Sequence, residues 1–90
     1  MDKSVKEKEI NDLYELFVSL KSVEDCKDLL EDLCTNKEVE QMAERIRAAK
    51  LLMEGKTYQE VIAVTDISSA TLSRISRCVQ YGKGYSRLLK

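Results

Sequence analysis

Proline is absent from this 90-residue chain, and glycine occurs three times, at positions 55, 82 and 84. The residues that break helices most strongly therefore fall at one internal point and at one point near the C-terminus. No Gly/Pro-punctuated alternation marks strands anywhere, so the chain is predicted to be all-α. Helix starts are written just as plainly. Thr35 with Glu38 and Thr57 with Glu60 have capping-box spacing, and Ser22 with Asp25 forms an imperfect box.

These signals divide the chain into five to six helices. Residues 1–9 are charged and lack apolar periodicity, so the first few are expected to fray. Ile10, Leu13, Tyr14, Phe17 and Leu20 then form one helical stripe, and Val23, Cys26, Leu29, Leu30 and Leu33 form a second. The third and longest helix carries Val39, Met42, Ala43, Ile46, Ala49 and Met53 on one face, widened by Leu51 and Leu52. Gly55 is placed to close it as the left-handed residue beyond the last turn. A short fourth helix starts at Thr57 and breaks at Thr65-Asp66, where Asp66 is expected to supply a left-handed turn residue. Ser68 caps a fifth helix running to about Tyr81. After Gly82, Lys83 and Gly84, a tail follows in which Tyr85, Leu88 and Leu89 are available for packing.

A chain of this size makes one domain with a modest core. Helices one and two present more apolar face than it can cover, which predicts self-association as a homodimer. The predicted organisation is a dimerisation core over 1–55, a helix-turn-helix over 57–81 and a tail over 82–90. No run of about 18 apolar residues predicts a membrane span and no leader is recognisable, so a soluble, cytoplasmic protein is expected. Three cysteines without a C-x-x-C pair, and no histidine, argue against a zinc site or a disulfide framework. Cys26 and Cys34 are expected to be small buried hydrophobes. The missing histidine also removes the usual general base, so neither catalysis nor a cofactor is expected.

The segment 57–76 carries the functional signal: two short amphipathic helices and a turn, the second helix opening with small hydroxyl residues. This is the pattern of a helix-turn-helix that places its second helix in the major groove of double-stranded DNA. Val61, Ile67, Leu72 and Ile75 are predicted to face inward. The outward set is Ser69, Ala70, Ser73 and Arg77 with Thr71 and Arg74 beside them, joined by Lys56, Thr57, Gln59 and Ser68 near the two helix starts. Small residues permit close approach, hydroxyls bond bases or phosphates, and arginines grip guanine or phosphate. Free N–H groups at the helix starts after Thr57 and Ser68 are expected to hold phosphates. Charge agrees with this placement. Residues 1–56 hold 10 basic and 14 acidic side chains, a balance of −4, whereas residues 57–90 hold 5 and 2, a balance of +3. The bland alternative is a helical protein-interaction module whose hairpin only packs. Gly55-Lys56-Thr57 mimics the end of a phosphate-binding loop, but Lys50 stands where its first glycine is required.

From about residue 13 to 78 the chain resembles the Trp repressor family, and most closely its shorter Trp-repressor-related (YerC/YecD-type) branch. The residues that carry this are the helix 13–21, Thr35, the stretch 44–47 (Glu-Arg-Ile-Arg), Leu51-Leu52, Gly55, the segment 70–74 (Ala-Thr-Leu-Ser-Arg) and the glycine-bearing tail 81–85. The resemblance implies an intertwined homodimer with interlocked N-terminal helices, one DNA-reading head per subunit and a repressor role. In tryptophan-binding members the indole lies between two arginines; the matching positions here are Arg45 and Arg74, and Thr35 matches a residue near the ligand. The glycine after the second arginine is Ile75 here, and a nearby serine is Cys78. A branched side chain at 75 is expected to fill space an indole needs, which argues against tryptophan and leaves a small-molecule effector unassigned.

Overall fold

The computed structural model describes residues 2–89, which form six α-helices and no strand. They are α1 (Lys3–Ser19), α2 (Val23–Leu33), α3 (Asn36–Met53), α4 (Tyr58–Val64), α5 (Ser69–Tyr81) and α6 (Tyr85–Leu88). By contacts the chain divides into two units, Met1–Thr35 and Asn36–Lys90.

In the first unit, α1 begins seven residues earlier than its apolar stripe suggests. Asp2 caps it, accepting the Ser4 backbone N–H at 3.2 Å and the Ser4 hydroxyl at 2.9 Å. Lys8 and Asp12 add an ion pair at 2.9 Å across one turn. The expected fraying is therefore replaced by a capped first turn, which a search for apolar periodicity could not reveal. Ser22 caps α2 by accepting from the Asp25 N–H, but the Asp25 carboxylate bonds the Lys21 N–H rather than closing a reciprocal box. Neither helix buries a residue. Cys26 is exposed and Cys34 half-buried, so neither is the buried hydrophobe expected.

In the second unit, α3 packs against α5, α4 and α6, and α5 also meets α4 and α6. The closed core is small: Ala48, Ala49, Val61, Leu72 and Ile75. Ala48 and Ala49 lie about 100° apart around the helix axis. Both are fully buried. Their small side chains let neighbouring helices approach α3 closely. Burial of Val61 and Leu72 supplies about 1.5–3 kcal/mol each. Leu51, Leu52, Ile67, Val79, Tyr85 and Leu89 pack around this cluster. The face predicted for α3 is only partly the one used, since Met42, Ile46 and Met53 remain 36–41% exposed. α3 ends in a full Schellman motif, in which Lys56 N–H bonds the Leu51 carbonyl, Gly55 N–H bonds the Leu52 carbonyl, and Gly55 sits at φ 91°. Here glycine is needed for its backbone, as an L side chain would be strained. Among the described residues no helix is long and apolar enough to cross a membrane.

Candidate nucleic-acid interface

Thr57 opens α4 with a complete capping box. Its hydroxyl accepts the Glu60 N–H at 3.1 Å, and the Glu60 carboxylate accepts the Thr57 N–H at 3.0 Å. That bond to the Thr57 backbone, followed by the one to its side chain, holds the Glu60 carboxyl below its ordinary 4.5. The start of α4 thus already carries an anion, and a phosphate arriving there would meet its charge.

Between α4 and α5 the chain turns without a left-handed residue. Among the described residues no non-glycine has positive φ, so Asp66 does not play the part expected of it. Side chains hold the turn instead. The Thr65 hydroxyl donates to the Val61 carbonyl at 2.9 Å and accepts the Ile67 N–H at 3.4 Å. Two residues of α3 complete it: Arg47 donates to the Val64 carbonyl at 2.9 Å, and Glu44 accepts the Asp66 N–H at 3.3 Å. Glu44 and Arg47 therefore fix the hairpin to the helix beneath it. Sequence reasoning missed this role because the partners lie 22 and 17 residues away.

Ser68 caps α5 by accepting the Thr71 N–H at 3.2 Å while its hydroxyl donates to the Thr71 hydroxyl at 3.1 Å. No acidic residue lies anywhere in α5. Val61, Leu72 and Ile75 are buried and Ile67 half-buried, which is the inward set predicted from the pattern. On the opposite side Ser69, Ala70, Ser73, Arg74 and Arg77 are exposed along α5, and Lys56, Thr57, Gln59 and Ser68 are exposed at the helix starts. Thr71 is half-buried. It lines a cavity of about 570 Å³ bounded by α3, α5 and the tail, within the usual range for small-molecule sites.

Arg45 and Arg74 both line this cavity, as does Ile75. Thr35 is not among its lining residues. Ile75 is 3% exposed, joins the core and forms part of the cavity wall beside the two arginines. Lys83 brings a third cation to the same walls, which Tyr85, Leu88 and Leu89 complete. Among the described residues the ion pair is Lys8–Asp12. No cluster of three or more potential metal ligands occurs among the described residues.

The model of the Trp repressor protein family matches residues 8–90, nearly the whole chain. The chain belongs to the Trp repressor family. Within that family it is 41% identical over 75 residues to the protein YerC of Bacillus subtilis (strain 168), covering 83% of this chain and 72% of YerC. The crystal structure of a TrpR-like protein from Eubacterium eligens superposes with a TM-score of 0.86 at 34% identity, covering 98% of this chain and 92% of that one. A Trp-repressor candidate from Staphylococcus aureus gives 0.84 at 28% identity, covering 99% and 92%. The six-helix, all-α fold is thus the Trp-repressor-like one, and YerC-type membership agrees with the residues that first suggested it.

Proposed function

We propose that this Trp repressor family protein is a homodimeric, sequence-specific DNA-binding transcriptional repressor that reads the major groove with α5. The observation that carries the reading is the outward face of α5. It presents small and hydroxyl side chains followed by Arg74 and Arg77, free of any acid, on a helix whose opposite face is locked into the core. A hairpin that served packing alone would have no need of a basic, acid-free outer face.

Dimerisation rests on the N-terminal helices. Neither α1 nor α2 buries a residue, and Ile10, Leu16, Phe17, Val18, Val23 and Leu33 stand 44–86% exposed. Two helices of this kind are marginal in water without a covering surface. A second copy supplies that surface and a second reading helix together. Half-sites about one helical turn apart, roughly 34–36 Å, follow from the two-fold.

Gel shifts with genomic fragments over a salt series test the reading, with sedimentation at micromolar concentration for the dimer. Tight binding to a few fragments, weakening linearly with log salt, is the expected result. Equal weak binding to every fragment, or a monomer, would sink it.

A further inference from the structure

The C-terminal tail is built differently from the other helices. α6 is a single turn of four residues, Tyr85–Leu88, with no side-chain cap. A turn this short does not persist in water by itself, so it exists because it is docked. Docking rests on Tyr85 and Leu89, both half-buried against the core cluster, while Leu88 stays 67% exposed. Tyr85, Leu88 and Leu89 also form part of the wall of the cavity shared with α3 and α5, so part of their surface faces that space rather than packed atoms. Two half-buried side chains thus hold this short turn against its ordering entropy, which puts it among the least stabilised parts of the unit.

The two glycines before α6 differ in kind. A Cβ at Gly82 would lie 2.5 Å from the Cys78 carbonyl oxygen, the same oxygen that accepts the Gly82 N–H at 2.8 Å. The chain can leave α5 in this direction only with glycine there. A Cβ at Gly84 would meet nothing within 4 Å. The docked path is therefore dictated at 82 and unconstrained at 84.

What the tail covers matters for the reading helix. Thr71, Arg74, Ile75 and Cys78 of α5 line the cavity that the tail walls off, and Arg74 also belongs to the outward face of α5. We infer that the C-terminal turn is a two-state clasp: docked across α3 and α5 it fixes the reading helix, and released it loosens α5 and lowers DNA affinity. The structural half stands without DNA; the functional half rests on the DNA-binding reading above.

Amide hydrogen exchange on the full chain without DNA, paired with DNA affinity, tests it in Gly82→Ala and Tyr85→Ala, with Gly84→Ala as control. In the first two variants protection over residues 76–81 falls at least tenfold, protection across α3 persists, and DNA affinity falls at least tenfold. Gly84→Ala stays within twofold of the parent. Unchanged protection of α5 in both variants overturns the clasp, as does lost protection with unchanged affinity. Should Tyr85→Ala lose protection throughout the chain, Gly82→Ala carries the test, since it removes no buried side chain, and Tyr85→Phe should restore parental values. If the parent binds no DNA specifically while α5 still loosens in the variants, docking stands and the regulator reading fails.

Discussion

Replacing Arg77 with alanine separates a DNA contact from a folding contact. Arg77 is exposed on α5, and among the described residues it enters no ion pair. Its loss should leave stability within about 0.5 kcal/mol, as for a surface position without a structural partner. On DNA, one arginine contact is worth about 1–3 kcal/mol. In the proposed homodimer it is lost at both half-sites, so binding should weaken by about 2–6 kcal/mol, or by roughly 5- to 140-fold for each half-site. The salt dependence then tells what Arg77 touches. If it holds a phosphate, the slope of log affinity against log salt falls by about 0.9 per subunit. If it reads a guanine, the slope persists and discrimination at one base pair relaxes. Fluorescence anisotropy on a selected site and on a scrambled one, at several salt concentrations, measures both quantities. Affinity within twofold of the parent on the selected site, with thermal stability also unchanged, would refute the assignment of this face of α5 to DNA.

Three further outcomes follow from the same geometry. Leu72 is fully buried between the helices of the hairpin and α3, so Leu72→Ala should cost about 2–5 kcal/mol in urea unfolding. Arg47→Ala removes the bond from α3 to the Val64 carbonyl and should cost about 1 kcal/mol, weakening DNA binding although Arg47 is not on the reading face; a calorimetric scan beside an anisotropy titration checks both. The Glu60 carboxyl is held below 4.5, so its contribution to the capping box is fully present above that pH and is lost as pH falls through its lowered folded value. Amide protection at residues 58–61 should drop over that acid window in the parent, and the Glu60→Ala variant should show no such step.

Much of the local structure was legible because it is enforced by neighbours in sequence. The capping box at Thr57, the Ser68 cap and the left-handed Gly55 each depend on groups within a few residues, and each formed as the pattern predicts. The inward set of the hairpin was legible because its period matches the helix. Two of the failures concern polar groups. The first turn of α1 escaped because Asp2 and Ser4 make a polar cap that apolar periodicity cannot register. The turn at Asp66 escaped because its geometry is set by Glu44 and Arg47, more than a dozen residues away. The exposure of Cys26, Met42 and Ile46 belongs to neither kind, since helical periodicity marks a face as apolar without saying what covers it.

Arg74 ties the candidate interface to the cavity. It occupies the outward side of α5 and at the same time borders a space shared with Arg45 and Lys83. Like charges lining one space repel one another, so an anion approaching the cavity mouth gains from all three. If α5 reads DNA as proposed, a ligand in the cavity, the tail and the DNA would all meet the same side chain, and each would bias the others by the difference it makes to where Arg74 points. That coupling does not depend on tryptophan. Ile75 is buried in the core and forms part of the cavity wall beside Arg74.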